Sequence, residues 1–416
     1  MAITTLTDTN FSALFKRVWG QYGDNLYGTG AEDPVISQLT KTFNFKGSQM
    51  DFPIKLGFGG STAFGTLPTA NSGKYATVVL TRKKAYARLN LDRETIIASK
   101  GREGAFKEAT EEETTSKLRS FMRTQACAFF NDGTGILGQQ SGNATGTAAA
   151  PVLTALATGT YKFRQAFFEE GDYIQIREDG TTLLSSVWEI TAVDTATRAI
   201  TLARITGSDD LTTIGTGTHD IILQNSLNAA PMGIKGVVEF ATGNLYSVAF
   251  QRRWKSYGID STTGGANPPV STDYFNKDML QINNVSGEYP NLIALSVIQM
   301  EKLLNRLEDK RRYSEVLSGT NKLASKVRIS FPAIAFDSVG GEVKLVSSRY
   351  VEDDRIYYIN TNKIEQKHAE KFGWFEEDGT VLLRMQDQDA YEARYGGYYE
   401  NYINPLFQGY RYDLAV

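Results

Sequence analysis

Two strand-like runs, Phe43–Leu56 and Tyr75–Leu91, flank a stretch that holds Gly57, Gly59, Gly60, Gly65 and Gly73. Read as one strand, the second run with Lys74 extends about 60 Å at 3.3 Å per residue, far beyond the usual five or six residues. A two-stranded ribbon is marginal in water, because each strand leaves one edge of backbone N–H and C=O groups unpaired. The ribbon therefore needs a surface along its length. That surface is either its own domain, with the hairpin folded back over it, or another chain.

The strongest helical signal follows. From Gly104 to Asn131 there is no proline, and no glycine after the first residue, which predicts about 40 Å of helix at 1.5 Å per residue. Glu108, Glu111, Glu112 and Glu113 lie towards its N-terminal half and Lys117, Arg119 and Arg123 towards its C-terminal half, the order that a helix macrodipole favours. Leu118, Phe121, Met122, Gln125, Ala126, Phe129 and Phe130 form an apolar stripe confined to the second half. A helix docked along half its length reads as a strut. Cys127 falls within it as a small buried hydrophobe.

Before the ribbon, residues 1–42 read as an arm. Phe11, Leu14, Phe15, Val18 and Trp19 fall at helical spacing, followed by an irregular tract with Gly28, Gly30 and Pro34. One short amphipathic helix has nothing of its own to bury against and must dock elsewhere. After the strut, residues 139–150 read as a linker of small and polar residues. The next segment, to about 226, carries short strands at roughly ten-residue spacing, such as Tyr173–Ile176, Val187–Val193 and Ile221–Leu223, the pattern of a small β-barrel or sandwich. The remainder is mixed. Ser296–Leu307 reads as a helix, and Lys326–Ile329, Glu342–Val346 and Arg355–Ile359 read as strands. The tyrosine-dense C-terminal tail reads as ending in a sheet.

Composition removes several classes of function. Lys plus Arg total 44 against 47 Asp plus Glu, a net charge of −3, which argues against a DNA binder whose affinity comes from a basic face. Hydrophobic residues at 41% and charged residues at 22% indicate a globular chain, and no apolar run reaches the roughly 20 residues of a membrane span. The N-terminus has no basic-then-apolar signal pattern, so a cytoplasmic product is expected. The single cysteine excludes an intrachain disulfide framework and a multi-cysteine zinc site. Histidine occurs at His219 and His368 alone, both read as surface residues, which counts against hydrolytic or metal chemistry.

Motif by motif the search for an enzyme is empty. Gly133, Gly135 and Gly138 spell G-x-G-x-x-G, but after a helix, the reverse of the context in which a helix N-terminus faces a pyrophosphate; the segment reads as a helix-ending turn. The glycines from Gly57 to Gly65 lack the Lys-Ser/Thr of a phosphate loop. The acidic clusters Asp353-Asp354 and Glu376–Asp378 read as solvated loops. The basic clusters at Arg82–Lys84, Arg252–Lys255 and Lys310–Arg312 read as ion pairs between subunits or solvated faces. No catalytic residue, cofactor or metal ligand is expected.

Arm, unpartnered ribbon, strut helix, β-module and mixed α/β body, in that order, resemble the major capsid proteins of tailed double-stranded-DNA bacteriophages, whose fold is shared by encapsulin shells. The passage from Phe129 to Gly138 is similar to the turn that closes the spine helix in such proteins. The resemblance implies an α+β capsid fold. Its parts would be an N-terminal arm (1–42), an extended β-hairpin loop (43–77), a peripheral domain with the long spine helix (78–138 and 395–416), an inserted small β-barrel-like domain (139–228) and a mixed central, or axial, domain (229–394).

It also implies a non-enzymatic structural subunit that self-assembles as pentamers and hexamers into an icosahedral virion head. The shell would form in the host cytoplasm and enclose DNA without sequence-specific binding. A portal, decoration proteins and a separate scaffolding protein are the implied partners, with no removal of the N-terminus. Contacts between subunits are expected at Phe11, Phe15 and Trp19 on the arm, at Lys55, Phe58, Phe64 and Lys74 on the loop, and at Arg82, Lys83 and Lys84. Some such proteins cross-link lysine to asparagine; no asparagine partner for Lys55 or Lys74 can be assigned. The alternatives are an encapsulin-type compartment and, from another class, a carbohydrate-binding or tail-fibre-like protein.

Overall fold

The computed structural model describes residues 33–92, 103–262, 267–306, 333–338, 340–376, 381, 383–385 and 389–416, with side chains at all of these except 91–92, 103–113 and 333–338. In chain order, β1 (Thr40–Thr42), β2 (Gln49–Gly57), β3 (Lys74–Thr81) and β4 (Lys83–Asp92) precede helix α1 (Glu103–Phe129). Next come β5 (Ile136–Ser141), β6 (Pro151–Thr154), β7 (Tyr173–Glu178), β8 (Val187–Asp194), β9 (Ala199–Thr206) and β10 (Thr218–Leu223). Helix α2 (Ile234–Val238), β11 (Tyr257–Asp260), α3 (Thr272–Ser286), β12 (Leu292–Leu295) and α4 (297–306) follow. The chain continues through β13 (Ala333–Ser338), β14 (Gly341–Ser347), β15 (Ile356–Ile359), β16 (Ile364–His368), β17 (Gly373–Trp374) and β18 (Leu383–Arg384) to β19 (Ala390–Ile403) and β20 (Gly409–Tyr412).

The chain divides into two compact units. The first takes Thr81–Ala126 and Gln366–Asn401 with the described residues up to Met50. Its centre is β19. Strand β4 pairs along one edge, from Ala390↔Asp92 to Tyr399↔Lys83. Strands β16, β17 and β18 succeed one another along the other edge, and β1 lies beyond β16. The expected stripe on α1 is buried here at Leu118, Phe121, Met122, Gln125 and Ala126. Phe121 meets Phe372 and Tyr395 edge-on, each at 5.2 Å, and the Tyr399 hydroxyl donates to Gln125.

The second unit takes Asp51–Leu80, Cys127–Glu365 and Tyr402–Val416. One part is a barrel. Strands pair in the order β5-β10-β7-β8-β9-β6, and a bridge between Gln140 and Ala155, with the Leu156 N–H donating to the Gln139 carbonyl at 2.8 Å, closes the circuit. Trp188 pairs across with Ile174, Ile190 with Leu202, and Ile200 with Leu153; all are buried. Another part is the sheet β11-β20-β15-β12-β14-β13, over a core from α3 and α4 that includes Phe275, Met279, Ile282, Met300 and Leu303. Helix α3 starts at Ser271, whose hydroxyl accepts the Asp273 N–H, and ends at Gly287 in the left-handed region (φ 81°). Arg411 of β20 clasps the buried Asp278 of α3 through two nitrogens, at 2.7 and 2.5 Å.

Several expectations need correction. The run Tyr75–Leu91 is two strands, broken at Arg82. Among the described residues strand β3 pairs only with β2, whereas β4 joins β19 in another sheet. At the break, the Arg82 N–H donates to the Ser48 carbonyl at 3.0 Å, just beyond the paired ends of β2 and β3. The supposed linker 139–150 begins as strand, since Gln139–Ser141 pair with β10. The described residues among 366–394 fall in the first unit, and Tyr402–Val416 fall in the second, where β20 pairs with β11 and β15. The expected strand Lys326–Ile329, the basic run Lys310–Arg312 and the arm residues Phe11, Leu14, Phe15, Val18 and Trp19 lie outside the described residues.

The turn after α1 is glycine-dependent, as expected. Gly133 and Gly135 have φ of 85° and 82°, and a Cβ on Gly135 would stand 2.1 Å from the Ser226 carbonyl oxygen. Cys127 is buried.

Candidate assembly surface

Among the described residues the β2–β3 hairpin is a sheet of two strands and no more. Its base is anchored. Val78 and Leu80 are buried, the Val79 N–H donates to the Tyr246 carbonyl at 3.0 Å, and Phe52 packs edge-on against Tyr402 at 4.9 Å. Its tip is bare: Phe58, Phe64, Leu67 and Tyr75 are exposed, Leu67 at 94% of its full surface. Lys55 and Arg253 each stand over the Phe58 ring, at 5.0 and 4.8 Å. Four large apolar side chains on a free ribbon are a surface awaiting cover.

The structure therefore brings the predicted loop residues Lys55, Phe58, Phe64 and Lys74 onto one hairpin and leaves all four exposed. Arg82, Lys83 and Lys84 belong instead to the first unit. Arg82 stacks over the Tyr398 ring at 4.7 Å, Lys83 is half-buried, and Lys84 is exposed.

One acidic and two histidine assignments change. Asp354 is buried and paired with Lys162; burial, partly offset by Lys162, raises its carboxyl above the ordinary range. Beside it Glu352 is held by Lys235 and Arg355, and Arg355 also pairs with Glu239. Burial lowers the Lys235 ammonium to about 8 against the pull of Glu352. These are internal braces: a buried charge that loses its partner is costly. His219 is buried and accepts the Asp179 N–H at 3.3 Å. His368 is buried among Phe43, Phe372 and Tyr399, stacked on Tyr399 at 5.2 Å. That apolar setting lowers its pKa to about 4, with the Lys41 charge assisting.

Sequence reasoning missed a cleft in the first unit, lined by Tyr86, Arg88, Phe375, Glu392, Arg394 and Tyr398 among others. These residues come from stretches about 300 positions apart, and the one signal for them was aromatic and charged residues alternating along Tyr391–Tyr398. The Tyr86 hydroxyl donates to Tyr398 at 3.3 Å, and its pKa is pushed up to about 12, first by burial and then by that bond. Among the described residues no group of three His, Cys, Asp or Glu side chains could hold a metal ion, and no helix is long and apolar enough to cross a membrane.

No protein-family model matches the chain, and no curated protein matches it. Among solved structures it is similar to the capsid asymmetric unit of cyanophage A-1(L), with 12% identity over 92% of this chain and 93% of that one and a TM-score of 0.55. The capsid of a native GTA particle matches at 8% identity over 91% and 89% of the two chains, with a TM-score of 0.41. A virus-like particle from Pyrococcus furiosus matches at 6% identity over 95% and 99%, with a TM-score of 0.40. The first agreement gives the fold. The chain has the α+β fold of a phage capsid subunit, as the order of its sequence elements implied.

Proposed function

We propose that this chain is a structural subunit that self-assembles into the icosahedral head shell of a tailed bacteriophage and encloses its packaged double-stranded DNA. One observation carries the reading beyond the fold: a two-stranded hairpin with Phe58, Phe64, Leu67 and Tyr75 exposed and no third strand among the described residues. A neighbouring copy is the surface that would cover it, through strand edges, apolar contacts and the charges of Lys55 and Lys74. Repeated around pentamers and hexamers, many modest contacts close by symmetry into a stable shell. Residues 1–42 would be an arm docking under an adjacent copy through Phe11, Phe15 and Trp19. The barrel within 139–228 would be an inserted domain. Such a subunit is not an enzyme. A separate scaffolding protein, a portal and decoration proteins are its proposed partners, in the host cytoplasm during assembly and in the virion afterwards.

The near-neutral charge suits a container, since a shell that gripped DNA tightly would oppose its packaging and release. The test is negative-stain microscopy of the purified chain. Closed icosahedral shells tens of nanometres wide are expected on geometric grounds for many copies of such a subunit; monomers or trimers at all concentrations would refute the proposal.

A further inference from the structure

The face of the β4–β19 ladder turned away from Phe121 carries a cleft of about 800 Å³, built from β4, residues 370–376 and β19. Its floor is glycine. Gly373 and Gly396 are cross-strand partners, and a Cβ on Gly396 would lie 2.0 Å from the Ala85 carbonyl oxygen, so position 396 admits no side chain. One wall is aromatic. Tyr86, half-exposed, meets Phe375 edge-on at 5.6 Å and Tyr398 at 6.1 Å.

The opposite wall is ionic. Arg88 and Arg394 stand directly opposite each other across the ladder, a like-charge pairing that destabilises a sheet. Glu392 bridges them, 2.8 Å from Arg88 and bonded to Nε of Arg394. It is nearly buried while both arginine side chains remain about half exposed. Glu370, Lys371 and Glu376 complete the lining.

The charges alternate in sign, and that decides the class of ligand. A nucleic-acid strand would bring closely spaced phosphates against Glu370, Glu376 and Glu392. A polypeptide can place one carboxylate on the paired guanidiniums, as a charge-assisted and potentially bidentate contact. The next apolar side chain would then fall on the glycine floor against Tyr86 and Phe375. Among the described residues β4 pairs with β19 alone, so its outer edge can take an added strand.

We propose that this cleft docks an extended peptide segment of a second, different protein, in which a carboxylate side chain neighbours an aromatic or aliphatic one. The proposal goes beyond the shell reading, because the partner is not another copy of this chain. Its test works on free chains, so a failure to form shells leaves it decidable.

The measurement is fluorescence anisotropy with three labelled probes: a heptapeptide alternating glutamate and phenylalanine, its lysine-for-glutamate counterpart, and an eight-nucleotide deoxythymidine strand. They are titrated with the full-length chain and, where shells form, with shells. The glutamate peptide is expected to bind both forms, with the other probes weaker by about tenfold or more. Tyr86→Ala and Arg394→Ala are each expected to weaken it about tenfold, and Tyr86→Phe, which keeps the ring, to retain binding. Circular dichroism confirms that each variant is folded. Tighter binding of the lysine peptide or of the nucleotide strand would overturn the proposal. So would unchanged affinity in a folded Tyr86→Ala, Arg394→Ala double variant, or no binding of the glutamate peptide at about 1 mM. Binding to free chains that vanishes in shells would make the cleft a subunit contact and would overturn it equally.

Discussion

The barrel and the hairpin solve the same problem in opposite ways. Both are antiparallel sheets whose strands must satisfy their edges. The barrel closes on itself through the Gln140–Ala155 bridge and turns Trp188, Ile190, Ile200 and Leu202 into an interior of its own. The β2–β3 hairpin has no third strand among the described residues and, beyond its anchored base, carries Phe58, Phe64, Leu67 and Tyr75 in solvent. Closed edges make a module that is complete in one chain; open edges make one that is complete only in an assembly.

The sharpest way to break that contrast is a substitution inside the barrel. Trp188→Ala removes the largest side chain of a closed core and is expected to destabilise the chain by about 3–5 kcal/mol in urea unfolding; a loss below about 1 kcal/mol would mean that the barrel is not self-contained. Lys235→Met tests the charged brace. Removing one partner of a buried pair leaves Glu352 short of a cation, for an expected loss of about 3 kcal/mol that a solvated pair would not show.

The third prediction follows a burial that the hairpin lacks. His368 has a folded pKa of about 4 against an ordinary 6.5, so between those values the unfolded chain binds the proton that the folded one refuses. Stability is therefore full above pH 6.5 and falls as pH drops towards 4, by up to about 3 kcal/mol at 1.36 kcal/mol per pKa unit. His368→Phe is expected to flatten this part of the unfolding profile; an unchanged slope would assign it to other groups. The smallest effect on stability belongs to the hairpin tip. Phe64→Ala changes nothing buried and is expected to shift unfolding by less than about 0.5 kcal/mol, while lowering shell yield. A large loss of stability there would mean that the tip packs on its own chain.

Elements set by local chemistry could be read from the sequence. The stretch 105–131, free of glycine and proline, falls largely within the helix Glu103–Phe129, its apolar stripe is the buried face, Glu342–Val346 lies in a strand, and Arg355–Ile359 meets the strand Ile356–Ile359. What could not be read depends on distant partners. Nothing in the period-two pattern of Tyr75–Leu91 marks Arg82 as the residue where the chain changes sheets, because the change is imposed by β19, some 300 positions later. His368 sits in the polar string KIEQKHAEK, yet Phe372, the residue that follows the string, and Phe43 and Tyr399 from two distant segments close over it. The exposure of Lys55, Phe58, Phe64 and Lys74 was legible because exposure on a hairpin is a local property. The cleft was not, because its floor and walls are far apart in the chain.

The central claim is that the hairpin is completed by a neighbouring copy, and deletion of residues 57–72 tests it most directly. Sedimentation velocity on the purified variant, beside the full chain, is expected to show a folded subunit and no closed shells. Normal shells from the shortened chain would contradict the account.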